Sequence, residues 1–171
     1  MLTLLLLVRC ASADWAVVTG ASSGIGEQLA LQAAQRGYDV VLHGRRRGAL
    51  HRLKKAIEAQ TGRSTKMVVE DLSRRNGAKR LHAACAGLDV RLLFANAGVA
   101  RVKPFIEDDV DAMLALNVHA NTDLCRRFGK DMAQVQTRAA DLTELGMFPA
   151  TDTTTDMPSE DKGVVLATHY Y

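Results

Sequence analysis

Short apolar segments alternate with amphipathic segments along most of this chain. The segment 15–19 (Trp-Ala-Val-Val-Thr) is apolar and ends at a glycine, which is typical of a buried strand. From Gly24 onward, apolar residues recur at helical spacing at Ile25, Leu29 and Ala33, as far as Gly37. This alternation predicts a parallel sheet covered by helices on both faces.

The same alternation continues downstream. It predicts further strands at 39–43, 67–69 and 90–94, and helices at 50–62, 81–85, 110–116 and 118–132. The segment 150–161 is polar and acidic, which is typical of a loop or a disordered insert. An apolar strand pattern returns only at 163–168, so the sheet is expected to stop after its fourth or its fifth strand.

The first thirteen residues allow two interpretations. Residues 2–8 are apolar except for one threonine, and Ala11-Ser12-Ala13 has the small-x-small pattern of a signal-peptidase site. However, no positive charge precedes the run, and it is much shorter than the ~20 residues that a membrane span needs. We expect an apolar leader on a cytoplasmic protein without a stable membrane span; secretory or organelle targeting by residues 1–13 is the alternative.

Charge and composition narrow the classes of ligand. The net charge is +3, but the basic residues are scattered, and aromatic residues make up only 5% of the chain. This composition offers no stacking platform for bases, so we expect no nucleic-acid partner. The three cysteines and five histidines have no metal-ligand spacing, so we expect no metal site.

The richest motif lies between the first strand and the first helix, where residues 19–26 read Thr-Gly-Ala-Ser-Ser-Gly-Ile-Gly. Glycines at such a turn let the backbone approach a pyrophosphate that rests on the helix N-terminus. The motif predicts a Rossmann-type, doubly wound α/β sheet with strand order 3-2-1-4, which binds a dinucleotide at the carboxyl ends of strands one, two and four. An ordinary glycine-rich turn is the alternative.

The end of the second strand predicts which dinucleotide binds. An acidic residue there would bond a free ribose hydroxyl, whereas arginine accepts a 2′-phosphate. The sequence has His43-Gly44-Arg45-Arg46 and no acid. NADP(H) is therefore favoured over NAD(H), with Arg45 and Arg46 as candidate clamps for the phosphate. The alternative is a solvated basic loop.

Together with three further motifs, the glycine turn resembles the short-chain dehydrogenase/reductase family over residues 14–132. These motifs are Asp71-Leu72, Asn96-Ala97-Gly98 and Asn117 within Leu-Asn-Val-His. The resemblance implies that Asp71 and Leu72 contact the adenine, that the second motif supports the sheet and the cofactor, and that Asn117 belongs to the catalytic tetrad. It implies that the phosphate-binding turn consists of Gly20, Ser22, Ser23, Gly24, Ile25 and Gly26. Simpler interpretations are a strand-ending turn residue for Asp71 and a helix N-cap for Asn117.

The family pattern continues with Tyr-x-x-x-Lys, and here the sequence departs from it. Beyond Asn117 the only tyrosines are Tyr170 and Tyr171. The resemblance implies NADP(H)-dependent hydride transfer with a small-molecule carbonyl or secondary alcohol, but the missing pair argues against turnover by this chain alone. The alternative is a non-catalytic NADP(H)-binding or subunit-interaction protein, with a homo-oligomer formed through the helix after Asn117. We expect a leader at 1–13, a Rossmann domain at 14–136 and a polar tail at 137–171.

Overall fold

The computed structural model describes residues 14–100, 109–144 and 164–167. The leader predicted at 1–13 and the polar loop predicted at 150–161 lie outside these ranges. Within them, no helix combines the length and the apolar character needed to cross a membrane.

The described residues form a parallel sheet with helices on both faces, as the sequence predicts. Its strands have the order β3-β2-β1-β4-β5, which confirms the predicted order and the fifth strand. The strands are β1 (Trp15–Val18), β2 (Asp39–Gly44), β3 (Thr65–Val69), β4 (Val90–Ala95) and β5 (Val164–Ala167). The helices are α1 (Gly24–Gln35), α2 (Arg47–Thr61), α3 (Gly77–Ala84), α4 (Val110–Leu114), a π-helical segment (Ala115–Ala120) and α5 (Asn121–Glu144).

Each face of the sheet carries its own apolar core because successive side chains of a strand point to opposite faces. Ala16 and Val18 of β1 pack into the core beneath α1 and α2, which includes Leu50 and Ile57. Val17, between them, belongs to the core beneath α3 and α5. The large, fully buried side chains of this second core are Leu81, Leu93, Leu124 and Phe128. The side chains of the continuous apolar run of β1 are thus buried on both faces of the sheet.

The helical region after residue 109 differs from the prediction of two separate helices. The chain is helical without a break from Val110 to Glu144, with the π-helical segment in the middle. No proline interrupts this stretch, and its single glycine, Gly129, lies inside α5. The prediction that the last helix ends near Met132 is therefore wrong, while the domain boundary at 136 remains a prediction.

Candidate functional site

The predicted site lies at the carboxyl edge of the sheet, where the chain changes direction. From β1 the sheet grows through β2 to β3 on one side and through β4 to β5 on the other. In open α/β sheets such a switch point leaves a crevice outside the strand ends, because the connections leave on opposite faces. The loops that follow β1, β2, β3 and β4 line this crevice.

Thr19, which follows β1, holds the centre of this edge together. Its buried hydroxyl donates to the carbonyl oxygen of Phe94 at 3.1 Å. The hydroxyl oxygen of Thr19 also accepts hydrogen bonds from the backbone amides of Asn96 and Ala97, both at 2.9 Å. The Asn96 side chain returns a bond to the Thr19 carbonyl oxygen at 2.9 Å. These four bonds form the Thr19 clasp, which fixes the loop after β4 against the glycine turn.

The glycine turn is too tightly packed at Gly20 and Gly26 to accommodate a side chain at either position. Gly20 has φ +71°, in the left-handed region that favours glycine. A β-carbon on Gly26 would lie 2.4 Å from the carbonyl oxygen of Gly20 and 2.7 Å from Nδ2 of Asn96. The first turn of α1 therefore lies directly against the end of β1.

The start of α1 has the features of an anion site. Its N-cap, Ser23, is extended and makes no side-chain capping bond to the described residues. The first amides of a helix have no partner within the helix, and the helix dipole favours a negative charge beside them. A β-carbon on Gly24, the first residue of α1, would meet no described atom within 4 Å, so the helix start is open, as an anion such as a pyrophosphate requires.

The two predicted phosphate clamps lie on the adjacent side of the cleft. Arg46 is the N-cap of α2, and its guanidinium donates to the backbone carbonyl of Ser22 at 3.1 Å and to the Ser22 hydroxyl at 3.4 Å. Arg45 lines the same cleft and lies close enough to Asp71 for its charge to favour the ionised carboxylate. Arg46 thus links the turn after β2 to the glycine turn.

Asp71 is held as a carboxylate at the wall of this cleft. It accepts bonds from the Ser73 hydroxyl at 2.7 Å and from the Ser73 amide at 3.0 Å. The hydroxyl bond is the main reason that the pKa of Asp71 lies below its ordinary value. Asp71 therefore does form a strand-ending turn, and it also faces the cleft, where Leu72 lies beside it.

Asn117 is not a helix N-cap, and that simpler interpretation is wrong. It lies inside the π-helical segment, where helices often bulge at functional positions. Its Oδ1 accepts from the amide of Val99 at 2.9 Å, and its Nδ2 donates to the Val99 carbonyl at 2.8 Å. One turn later, Asn121 donates to the carbonyl of Ala97 at 3.1 Å. The helix thereby holds the loop after β4 at two points.

With one exception, every residue predicted for the site lines this cleft. The exception is Gly24, which belongs to the same turn but lines neither half of the cleft. The first half is lined by Gly20, Ser22, Ser23, Arg45, Arg46, Asp71, Leu72, Ala97 and Gly98. The second half is lined by Gly20, Ser23, Ile25, Gly26, Asn96, Ala97, Gly98 and Asn117. Their individual roles remain predictions.

Sequence reasoning missed three polar residues that shape this cleft: Thr19, His43 and Asn121. All three are buried, although polar side chains are usually exposed. Each lies within or next to a motif, but the partners of Thr19 and His43 are distant in sequence, at Phe94 and Glu70. Thr19 and His43 each end an otherwise apolar run, which is a weak signal of a buried polar residue, whereas Asn121 lies in a polar stretch and gives no such signal.

Comparison with known proteins agrees with this geometry. The family model described as short chain dehydrogenase matches residues 14–140. A 7beta-hydroxysteroid dehydrogenase of Clostridium sardiniense is 43% identical over 80 residues, covering 47% of this chain and 31% of that protein. A very-long-chain 3-oxoacyl-CoA reductase of Scheffersomyces stipitis is 35% identical over 127 residues, covering 70% of this chain and 37% of that protein.

The fold is also found in solved structures. A short-chain dehydrogenase of Sphingobium yanoikuyae in complex with NADPH superposes with a TM-score of 0.67 at 27% identity, covering 71% of this chain and 49% of that one. The chain spans about a third of the length of the two curated relatives, 31% and 37%. Because the family model matches most of the sequence, from residue 14 to residue 140, the chain belongs to the short-chain dehydrogenase family.

Proposed function

We propose that this chain forms the NADP(H)-binding part of an oxidoreductase that transfers hydride between the cofactor and a carbonyl or a secondary alcohol. The glycine turn and the start of α1 would hold the pyrophosphate, and the loop after β3 would hold the adenine. The bound cofactor would supply the hydride to a carbonyl in its reduced form, or accept it from a secondary alcohol in its oxidised form. The two relatives are named for different substrates, a hydroxysteroid and a 3-oxoacyl-CoA, so the proposal stops at a small-molecule carbonyl or alcohol.

The main support for a preference for NADP(H) is the position of the Arg46 guanidinium beside Ser22. Three donor–acceptor distances of 3.1 to 3.4 Å hold the guanidinium at the rim of the glycine turn. A planar guanidinium pairs well with a phosphate because it can donate two parallel bonds. No acid at the end of β2 is available to bond a free 2′-hydroxyl, since the segment reads His43-Gly44-Arg45-Arg46.

The test is a calorimetric titration of the 171-residue protein with NADPH and, separately, with NADH. We expect the wild type to prefer NADPH. Arg46→Gln should weaken NADPH binding about 10-fold to 100-fold and have little effect on NADH binding. This magnitude follows because a hydrogen bond to a charged group contributes about 1.5–3 kcal/mol. Arg36→Gln is the matched control, because Arg36 ends α1 at the opposite edge of the sheet. Equal affinity of the wild type for both cofactors would refute the 2′-phosphate assignment.

A non-catalytic role in subunit interaction is the second candidate, and two observations favour it. Both polar atoms of the Asn117 side-chain amide already bond the backbone of Val99, which gives this residue a structural task. The apolar side chains of Leu114 and Val118, one helical turn apart, are 45% and 49% exposed. Such a pair beside the cleft suits contact with a second copy of the chain. Sedimentation of wild type and Val118→Lys tests this: a dimer that the lysine dissociates would support it, and a monomeric wild type would refute it.

A further inference from the structure

His43 connects three of the segments that line the cleft. It is the next-to-last residue of β2, and only 3% of it is exposed. Its carbonyl oxygen accepts a hydrogen bond from the amide of Ala21 in the glycine turn at 2.9 Å. Its imidazole Nε2 lies 3.1 Å from the carbonyl oxygen of Glu70, which follows β3. One residue therefore contacts the glycine turn on one side and the loop after β3 on the other.

The chemistry of the partners assigns the proton on this imidazole. A carbonyl oxygen can only accept, so Nε2 carries the hydrogen and donates to Glu70. Burial lowers the pKa of His43 to about 4, although the carbonyl bond and the charges of Glu70 and Asp71 oppose the shift. The ring is therefore neutral near pH 7, and its other nitrogen, Nδ1, is buried without a partner among the described residues. An apolar side chain would avoid that cost, so packing alone does not account for a histidine here.

The bond to Glu70 acts where the backbone pairing of β2 and β3 stops. The last paired residues of the two strands are Gly44 and Val69. The imidazole bond continues the connection to the next residue of the β3 side. The Glu70 carboxylate is held in turn by two bonds from Arg80, at 2.7 and 2.9 Å. Glu70 is thus fixed at both its backbone and its side chain, and Asp71 follows it directly.

We propose that His43 is a positioning residue that holds the turn carrying Arg45 and Arg46 at a fixed separation from Asp71, and thereby sets the preference of the cleft for a 2′-phosphorylated adenosine. The inference rests on the proposed function, because it assigns the arginine side of the cleft to the 2′-phosphate. His43 lines the cleft, but its imidazole nitrogens are not available to a ligand, since Nδ1 is buried and Nε2 is engaged by Glu70.

The test uses two probes that differ only in the phosphate of interest, adenosine 2′,5′-bisphosphate and adenosine 5′-monophosphate. The quantity measured is the ratio of their dissociation constants by calorimetry. We expect His43→Leu, which removes the donor, to reduce this ratio about tenfold, as for the loss of one hydrogen bond. His43→Gln retains an N–H donor and should keep most of the ratio. Leu81→Ala, in the core beneath α3, should lower the melting temperature and leave the ratio unchanged.

The outcomes separate the inference from the function on which it rests. If the wild type does not prefer the bisphosphate, the proposed function fails. If the wild type prefers it and His43→Leu preserves the ratio, the positioning role is wrong. Should the leucine variant fail to fold, the imidazole nitrogen chemical shifts of the wild type decide the question. We expect the Nε2–H form near neutral pH, and observation of the Nδ1–H form would overturn the proposal.

Discussion

Adding a single methyl group at Gly26 should damage both the fold and the cleft. A β-carbon there would lie 2.4 Å from the carbonyl oxygen and 2.8 Å from the carbonyl carbon of Gly20, and 2.7 Å from Nδ2 of Asn96. Two of these atoms are backbone, and Asn96 is engaged in the Thr19 clasp. The contact can therefore be relieved only by displacing the glycine turn or by breaking the clasp.

The size of the effect follows from two opposing contributions. Alanine is favoured over glycine inside a helix by about 1 kcal/mol. Inserting a methyl group into a packed site usually costs about 1–3 kcal/mol, and the upper end applies here because backbone must move. We therefore expect Gly26→Ala to lower the free energy of unfolding by about 2 kcal/mol and the melting temperature by roughly 4–8 °C. A displaced turn should also lose most of its affinity for NADPH.

The chain supplies a matched control in Gly129, a helical glycine of α5. A β-carbon there would meet no atom of the described residues within 4 Å beyond its own helix backbone. Gly129→Ala should therefore raise the free energy of unfolding by about 0.5–1 kcal/mol. Urea unfolding of the wild type and both variants is the assay. The reasoning would be refuted if Gly26→Ala were as stable as the wild type, or if both substitutions shifted stability in the same direction.

Three further substitutions test polar side chains at the cleft, of which His43 and Thr19 are buried and Asn117 is half-buried. The pKa of His43 is about 4 in the folded protein against an ordinary 6.5, so the unfolded chain binds the proton first, and stability should fall as pH falls from 6.5 towards 4. In His43→Gln, the free energy of unfolding should fall by about 3 kcal/mol less than in the wild type between pH 6.5 and pH 4, as measured by urea unfolding at the two pH values. The same pH dependence of stability in both proteins would contradict this. Thr19→Val keeps the shape of the side chain but removes the hydroxyl that accepts from the amides of Asn96 and Ala97. It should lower the free energy of unfolding by about 3 kcal/mol in the same assay. An unchanged urea midpoint would show that the clasp does not stabilise the protein. Asn117→Ala should speed hydrogen exchange at the Val99 amide about tenfold or more, and equal rates would show that this bond does not protect it.

The sheet was predictable because its pattern is local. The apolar run of β1 and the helical spacing of α1 can each be read within a few residues, and the glycines mark the turn between them. The motifs of the glycine turn, of residues 71–72 and of residues 96–98 were predictable for the same reason, since each of them follows a strand, whereas Asn117 lies within a helix. In a parallel sheet, residues in these positions meet at one edge.

What could not be predicted depends on contacts between distant residues. The partners of Thr19 are known only once β1 and β4 are adjacent, since Phe94 lies 75 residues away. The π-helical segment leaves no mark in the apolar pattern, and the bond from its Asn117 side chain to Val99 joins it to a loop 18 residues earlier in the chain. The sequence places His43 at the end of the second strand, beside the two arginines, but does not show that its side chain bonds the Glu70 carbonyl, 27 residues away.

The Thr19 clasp has a consequence for the order in which the protein assembles. Its bonds join residues that are 75 to 78 positions apart, so the glycine turn cannot reach its final shape while only the first three strands have been synthesised. A nascent chain that ends before Ala97 can pair β1 with β2, but it lacks residues of the clasp that fix the glycine turn. The ability to hold a nucleotide should therefore arise only after β4 has been synthesised and has paired with β1 in the centre of the sheet.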